Sequence, residues 1–328
     1  MDDYYSPDIP YDILDDFLFN EFIEGLHPSL QNILRDVQYM QHEAESEEIT
    51  SIQSWWNVDI PYYTCSPWFF SDVLPVSEEQ LITLGKAHLL AYADSILTDN
   101  LVDGQMPEVP GPFLTTSQLR LEGMRQWLSL FGQDHPFWKI YQDTERRCYW
   151  GLAHEREIVE YKRMPYTVDD YFKVTAGKFA IYERMIRAMG FLSNEEQKVQ
   201  PVLEAFRYLF VADCLFDDAA DWEADALDGR RTLPIVLALQ ETNTPLEHFG
   251  ELSVAEIEAL IHRSSMMPRQ TARALEYLEN ARGLVQSANL GDSFLSHLIE
   301  RNHQNAVKSH KIYRVAQGVD SFISAMSR

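Results

Sequence analysis

The chain has 328 residues, 45% of them hydrophobic, which is enough for one large domain or two small ones with a substantial core. Its formal net charge of −24 argues against a nucleic-acid partner, because the phosphate backbone is bound by basic surfaces. Glycine and proline are sparse, at 14 and 15 residues, and the sequence has no alternating strand patterns, so we predict an all-α fold with one large bundle.

The acidic residues are concentrated in the first quarter of the chain. Residues 1–85 contain 17 acidic residues and a single basic one, Arg35. This imbalance permits one non-enzymatic hypothesis, a catalytically silent helical scaffold whose acidic arm binds a basic partner.

The N-terminal region is predicted to be an extension of the main bundle. Apolar residues at helical spacing predict helices over residues 11–26 and 28–44. The aromatic, proline-containing stretch Trp55–Phe70 predicts a packed loop that anchors the core. We therefore predict an acidic N-terminal extension, residues 1–75, packed on a catalytic helical bundle of residues 76–328.

Cysteines and the N-terminal sequence bear on the cellular compartment. Cys65, Cys148 and Cys214 are widely spaced without a CxxC pair, so neither a disulfide framework nor a zinc site is predicted. The N-terminus has no basic segment followed by an apolar one, and no run of about 18 apolar residues occurs anywhere. We expect a cytoplasmic protein without a membrane span.

A first pair of carboxylates ends an apolar helical stretch. Asp99 and Asp103 lie one helical turn apart at its C-terminal end. Gly104 and the prolines after it predict a loop that follows. Alone, this DxxxD spacing is a weak signal.

A second carboxylate cluster lies between Asp213 and Asp221. If the apolar helical run before it continues, Asp213, Asp217 and Asp221 recur every four residues and line one face. Like charges at this spacing repel each other, so the stripe destabilises the helix unless it is solvated or binds cations such as Mg²⁺. A solvated acidic face is one alternative, but Leu209 and Phe210, one turn earlier, continue a surface that should be buried and favour a metal site.

Further helices are expected along the rest of the chain from the spacing of apolar residues and from capping residues. The predicted ranges are 116–131, 137–162, 167–189, 235–240, 254–263, 268–289 and 292–325.

The two aspartate clusters together resemble those of class I isoprenoid synthases. The first aspartate-rich motif of that family, DDxxD, has a counterpart in Asp99-Asn100-Leu101-Val102-Asp103, and a second one reads literally in Asp217-Asp218-Ala219-Ala220-Asp221. Two clusters at the ends of apolar helices are far more specific than one.

Two more segments carry the resemblance. The lysine-bearing helix of polyprenyl diphosphate synthases is similar to the run Tyr171–Lys178, which Ala188-Met189-Gly190 follows. The segment after the second motif, in those enzymes and in squalene and phytoene synthases, is similar to Gly229-Arg230-Arg231-Thr232-Leu233-Pro234. The resemblance covers roughly residues 80–240.

The resemblance implies a helical bundle in which the two aspartate-rich helices face a central apolar cavity, and several Mg²⁺ ions that bind with a substrate diphosphate. The implied metal ligands are Asp99, Asp103, Asp213, Asp217 and Asp221, with Asn100 and Asp218 as further candidates. The candidates for contact with diphosphate oxygens are Lys178, Arg230 and Arg231. The candidates for the cavity wall, each with core packing as the alternative, are Tyr92, Ile96, Phe206, Leu209 and Phe210.

The member of the class is predicted from departures from the family patterns. Chain-elongating prenyltransferases usually follow the first motif with paired arginines, whereas Gly104-Gln105-Met106-Pro107 follows here. That absence counts against chain elongation. Terpene cyclases usually carry an Asn/Ser/Glu triad where this chain has Asp213, Asp217 and Asp221, a departure from the standard cyclase pattern that keeps the capacity to bind metal. The short gap between Asp221 and Gly229 is closer to head-to-head synthases.

We therefore predict a terpene synthase, a carbon–oxygen lyase that ionises one prenyl diphosphate and cyclises or rearranges the cation. The alternative is a prenyltransferase that joins two prenyl diphosphates, by chain elongation or head to head. A small-molecule prenyl diphosphate is the expected partner in both cases. The sequence does not decide whether the chain forms a homodimer.

Overall fold

The structure, a computed structural model, describes residues 7–36, 61–102, 104, 106, 110–159 and 167–326. Throughout these ranges the chain is helical and has no β-strand, which confirms the all-α prediction. No helix among them is long and apolar enough to cross a membrane. The helices are α1 (Tyr11–Asp15), continued by a π-helical segment (Asp16–Ile23), α2 (Pro28–Asp36), α3 (Pro61–Thr64), α4 (Ser66–Phe70), α5 (Glu78–Val102), α6 (Pro110–Leu130), α7 (Phe137–Val159), α8 (Val168–Lys178), α9 (Ala180–Ser193), α10 (Glu196–Leu227), α11 (Leu233–Glu241), a 3₁₀ segment (Leu246–Glu251), α12 (Val254–Arg263), α13 (Met266–Ser287) and α14 (Phe294–Met326).

The chain divides into two compact units. Unit 1 comprises Met1–Cys148 and Ala180–Gln200, and unit 2 comprises Tyr149–Phe179 and Pro201–Arg328. Neither segment of unit 1 begins or ends at residue 75, and the predicted division there stays a prediction.

In unit 1 the N-terminal helices share a core with α5. Buried residues of the first helices, including Leu14 and Phe17, pack in one cluster with Leu89 and Leu97 of α5. Burying such side chains stabilises the fold by about 1.5–3 kcal/mol each. The described N-terminal helices are therefore part of the packed core of unit 1.

The aromatic stretch is helical where the structure describes it, so the loop prediction is wrong there. Residues 61–70 form the short helices α3 and α4, and Trp68 is buried. A Cβ atom on Gly85 of α5 would lie 2.2 Å from the Trp68 ring, so only glycine allows the indole to lie against that helix. This close packing fixes a conformation that local aromatic and proline content could not predict. Residues 51–60 lie outside the described ranges.

Helix α5, which carries the first motif, has clear sequence signals at its start. The Ser77 backbone donates to the Gln80 side chain, and the Gln80 backbone donates to Ser77 Oγ, at 3.0 and 3.2 Å. This reciprocal pair is a capping box, which satisfies two of the backbone donors exposed at a helix start.

After α5 the chain turns at Gly104, whose φ of +71° is readily adopted only by glycine. The predicted loop then ends earlier than expected, because Pro110 and Pro112 lie in the first turn of α6. Proline is tolerated there, since its missing N–H has no partner in the helix.

In unit 2, helix α8 is preceded by its cap Thr167, which forms a capping box with Asp170. The predicted continuous helix 167–189 is wrong, because the chain turns at Phe179 between α8 and α9. The Phe179 ring packs 5.9 and 5.7 Å from the rings of Phe206 and Phe210. The turn makes Lys178 the last residue of α8.

Helices α11 to α14 follow the predicted ranges within two residues at each end. Helix α10 carries the second motif and ends before Gly229, which adopts φ +73° and stops the helix. Helices α11, α12 and α13 enclose a second core with Ala219 of α10, to which Ile235, Ile257 and Met266 contribute.

Candidate metal and diphosphate site

The first motif lies on the last turn of α5, in unit 1. Asp99 is half-buried and Asn100 is 5% exposed. The Asn100 Nδ2 atom is buried and has no hydrogen-bond partner among the described residues. Asp103 lies outside the described residues, so its predicted role stays a prediction.

One turn before the motif, α6 contacts α5 through an arginine. Arg120 Nε donates to Asp94 Oδ2 at 2.9 Å, and Arg120 Nη2 donates to Thr98 Oγ1 at 3.2 Å. Asp94 is 7% exposed, and a buried carboxylate needs such a partner to stay charged. The contact joins α6 to the part of α5 just before Asp99.

The second motif lies on α10, in unit 2. Asp213 and Asp218 are half-buried, whereas Asp217 and Asp221 reach the surface. Asp218 Oδ2 is buried and has no hydrogen-bond partner among the described residues. Of the predicted stripe, only Asp213 is therefore partly withdrawn from solvent, and the buried carboxylate oxygen belongs to Asp218, one position after Asp217. The metal-binding role of the stripe stays a prediction.

The carboxyl groups of this motif raise one another's pKa values. Burial raises the pKa of Asp218 well above its usual range, and the charges of Asp217 and Asp225 add to this effect. Asp217 reaches the surface, yet partial burial raises the pKa of its carboxyl, and the charge of Asp221 adds to this effect. A bound cation would favour the charged forms and reverse both effects.

Lys178 is a positive charge near this motif within the same unit. Its charge opposes the rise in the pKa values of both Asp217 and Asp218. Its Nζ atom lies 2.6 Å from Glu155 Oε2 on α7. The predicted lysine is thus oriented by Glu155, a partner distant in sequence.

The two arginines after α10 have different environments. Arg230 Nη1 lies 3.8 Å from Asp225 Oδ1, and its backbone N–H donates to the Asp225 carbonyl at 2.8 Å. Burial raises the pKa of the Asp225 carboxyl to about 6, while Arg230 opposes the rise. Arg231 is 1% exposed. Arg230 is therefore the more accessible of the two predicted diphosphate contacts.

The predicted wall residues are well packed in each unit. Phe206, Leu209 and Phe210 of α10 are buried, and Tyr92 and Ile96 of α5 are half-buried. Ile96 packs on the core cluster of unit 1. Their role as walls of a substrate cavity stays a prediction.

The chemistry of the donor set fits Mg²⁺, which prefers carboxylate and other hard oxygen ligands. The unpartnered Oδ2 of Asp218, amid carboxyl groups of raised pKa, is a donor that a cation would satisfy. Among the described residues, however, no three His, Cys, Asp or Glu side chains converge to hold a metal ion by themselves. A metal here would need further oxygens, such as those of a diphosphate.

Two acidic residues of this region were not predicted. Asp225 continues the stripe one turn beyond Asp221, so the four-residue spacing could have identified it. Glu155 pairs with Lys178 across α7 and α8, and the sequence carries no local signal for that pairing.

Comparisons with known proteins place the fold. No protein-family model and no curated protein sequence matches the chain. Solved structures do match over nearly the whole length. Geranylgeranyl pyrophosphate synthase from Lactobacillus brevis matches with a TM-score of 0.63 at 17% identity, over 87% of this chain and 99% of that one.

Two further structures agree. Heptaprenyl diphosphate synthase from Staphylococcus aureus has a TM-score of 0.60 at 14% identity, over 86% of this chain and 97% of that one. Polyprenyl synthase from Caulobacter crescentus, complexed with calcium and isoprenyl diphosphate, has a TM-score of 0.60 at 15% identity, over 89% of this chain and 98% of that one. The chain has the class I isoprenoid synthase fold.

Within this fold the similar structures are prenyl diphosphate synthases by name, and none of the three is named as a cyclase. At this level of identity the likeness establishes the fold alone. The isoprenoid synthase fold predicted from the two aspartate motifs is confirmed, whereas the choice of a lyase over a transferase is not.

Proposed function

We propose that the chain is a Mg²⁺-dependent prenyltransferase, which ionises an allylic prenyl diphosphate and joins the resulting prenyl group to a second prenyl unit. The observation that carries the diphosphate-binding part of the proposal is the arrangement in unit 2, where Lys178 lies within electrostatic reach of the Asp217 and Asp218 carboxyl groups. The choice of a transferase is supported by the similar structures, which are prenyl diphosphate synthases by name. Carboxylates for metal and a cation for phosphate oxygens are the two requirements for binding a metal diphosphate.

In the proposed reaction the metal ions would be held by Asp99 and Asp103 of the first motif and by Asp213, Asp217 and Asp221 of the second. Asn100 and Asp218 are further candidate ligands. Bound Mg²⁺ would supply charge neutralisation for the departing diphosphate.

The chain's own cations act on the same leaving group. Lys178 can leave its ion pair with Glu155 and bind the more highly charged diphosphate. Arg230 can likewise leave Asp225 and bind the diphosphate. Arg231, which is buried, would stabilise the negative charge of the diphosphate electrostatically. The apolar side chains one turn before each motif would exclude water from the reactive cation.

A terpene cyclase is the second candidate function. It is favoured by the segment after the first motif, Gly104-Gln105-Met106-Pro107, because it lacks the paired arginines that elongating enzymes use for a second diphosphate. Both candidates share the ionisation step and differ in what captures the cation.

The decisive experiment incubates purified protein with Mg²⁺ and allylic diphosphates of increasing length, with and without isopentenyl diphosphate. Longer diphosphates that form only with isopentenyl diphosphate are the expected result. A hydrocarbon or alcohol from the allylic substrate alone would indicate a cyclase, and a coupled product from it alone a head-to-head synthase. No turnover with any substrate would favour the acidic scaffold.

The role of the lysine is tested by a matched pair of variants on α8. Lys178→Gln should lower turnover by about tenfold or more and raise KM for the diphosphate, because a charge-assisted contact is lost. Lys173→Gln removes an exposed lysine of the same helix and should change neither constant. Equal activities of the two variants would remove Lys178 from the site.

A further inference from the structure

A cavity in unit 2 is lined by residues to which no role has been assigned. Its volume is about 380 Å³, within the range of small-molecule sites. It is lined on its apolar side by Val168, Leu233, Leu237 and Met266, and on its polar side by Gln240, Glu241, Arg269, Gln270 and Arg273, with Leu215 of α10. None of the predicted site residues lines it.

The polar lining of this cavity comes mainly from one face of α13. Arg273 lies four positions after Arg269 and three after Gln270, the spacings that place side chains on one side of a helix. Arg269 is paired with Glu241, whereas Arg273, which is half-buried, has no carboxylate within 4.0 Å among the described residues. Two guanidinium groups and one carboxylate leave the lining positive, in a chain whose net charge is −24.

A buried amide in the lining adds a second feature that a ligand would match. Gln270 is 4% exposed, and its Nε2 donates to the Leu215 carbonyl at 2.8 Å, which fixes the orientation of the amide. Its Oε1 atom has no hydrogen-bond partner among the described residues. A buried acceptor without a donor is costly, so a ligand group that donates a hydrogen bond would be favoured there.

We infer that this cavity binds a small organic anion that has a carboxylate or phosphate group, an apolar body and a hydrogen-bond donor. Arg273 binds the anionic group, because guanidinium matches carboxylate and phosphate geometry. The apolar side chains of α11 cover the body of the ligand, and Gln270 accepts its donor. None of the proposed metal or diphosphate ligands lines the cavity, although Leu215 lies between Asp213 and Asp217 on α10. Binding at this site does not require the proposed prenyl transfer.

The experiment measures binding of defined probes to the full chain by isothermal titration calorimetry. The main probe is para-hydroxyphenylacetate, which has all three features. Phenylacetate lacks the donor, para-hydroxyphenylethanol lacks the charge, and phenyl phosphate replaces carboxylate with phosphate and so distinguishes the two anion types. Saturable binding of para-hydroxyphenylacetate at one site is expected, with weaker binding of phenylacetate and none of the alcohol.

Variants assign the binding to this cavity. Arg273→Gln should weaken binding of either anion about tenfold, because a hydrogen bond to a charged group is lost. Arg263→Gln, at an exposed arginine of the neighbouring helix α12, is the matched control and should bind like the wild type. Gln270→Met should keep phenylacetate affinity and abolish the preference for the hydroxylated acid.

Three outcomes would overturn the inference. The first is the absence of saturable binding of any of the anions to the wild type, and the second is equal affinity in wild type and Arg273→Gln. The third is binding of para-hydroxyphenylethanol as tightly as of the acid. Because no outcome involves catalysis, failure here leaves the proposed enzymatic function untouched.

Discussion

At the scale of single residues, the raised pKa values of the second motif connect stability with function. A carboxyl whose pKa is raised in the folded state ionises at a cost to folding at neutral pH, and Asp217 is such a group. Asp217→Asn should therefore melt at an equal or higher temperature than the wild type.

The same variant should lose turnover by about 100-fold or more, because a proposed metal ligand is removed. Asp228→Asn, at an exposed position just after α10, is the control and should retain activity. The measurements are product formation with Mg²⁺ and thermal unfolding. A large loss of stability with Asp217→Asn would mean that this aspartate is structural.

A buried histidine in unit 1 predicts how stability depends on pH. His88 contacts Ser66 Oγ at 3.0 Å and the Tyr63 carbonyl at 2.8 Å, and it packs beside the Tyr182 ring. Burial lowers its pKa to about 4; the nearby Arg184 adds to the effect, while the contact with the Tyr63 carbonyl opposes it. The unfolded chain takes up a proton near pH 6.5, so the folded state loses stability as pH falls from about 6.5 to about 4.

The loss from His88 should amount to about 3 kcal/mol over that window and should be absent above it. Denaturant unfolding of the wild type and of His88→Gln, at about pH 7.5 and about pH 4.5, measures it. The variant should lose less stability between the two pH values, whereas His248→Gln, at an exposed histidine, should behave like the wild type. Equal losses in all three proteins would show that His88 does not govern the acid sensitivity.

Which site residues could be predicted depends on whether their neighbours are local in sequence. Asp213, Asp217 and Asp221 follow from a four-residue spacing, and Asp225 could have been added by the same rule. Glu155 beside Lys178 belongs to another helix, so only the packing of α7 against α8 reveals the pair.

At the scale of helices, α7 and α8 approach each other at a pair of glycines. A Cβ atom on Gly151 would lie 2.9 Å from Gly177 Cα and 3.0 Å from the Val174 carbonyl oxygen. Both neighbours are backbone atoms, which cannot rotate away. Gly151→Ala should therefore cost about 1–3 kcal/mol of unfolding free energy and separate Glu155 from Lys178.

The control for this variant is Gly283→Ala in α13, where a Cβ atom would have no neighbour within 4 Å. Alanine is the better helix former there and should stabilise the chain by about 0.5–1 kcal/mol. Denaturant unfolding of the two variants gives the comparison. Similar effects of both substitutions would contradict the close helix crossing.

Helix bounds could be predicted where local signals and packing agree. Helix α12 begins at Val254, where the cap Ser253 forms a capping box with Glu256, and it has the predicted ends. By contrast, the turn at Phe179 and the short helices of residues 61–70 depend on where buried aromatic rings pack. Those contacts join residues far apart in the sequence, so periodicity alone gave one long helix and a loop instead.

At the scale of the whole molecule, the fold followed from two aspartate motifs on apolar helices, whereas the reaction did not. The role proposed for the motifs, binding of a diphosphate leaving group, is common to cyclases and prenyltransferases. The two classes of enzyme differ in the volume and the charges of the space for a second reactant, and these depend on side chains from many helices. The predicted cyclase thus rested on one segment after the first motif.

The proposed site makes a prediction about ligand-dependent stability. No three described acidic, histidine or cysteine side chains converge on a metal position, so Mg²⁺ alone should stabilise the chain weakly. Pyrophosphate alone should also do little, because the acidic stripe repels it. Together they should raise the free energy of unfolding by about 2.7 kcal/mol at a hundredfold excess over the dissociation constant.

Thermal melts with each component singly and together, at constant ionic strength, measure this synergy. Constant ionic strength matters because a chain of net charge −24 is stabilised by any salt that screens its self-repulsion. Asp217→Asn should abolish the synergy, because a proposed metal ligand is lost. It should keep the general salt effect, because one charge is a small part of the net charge of the chain. Purely additive shifts in the wild type would contradict a shared metal–diphosphate site, because each component would then bind without completing the coordination of the other.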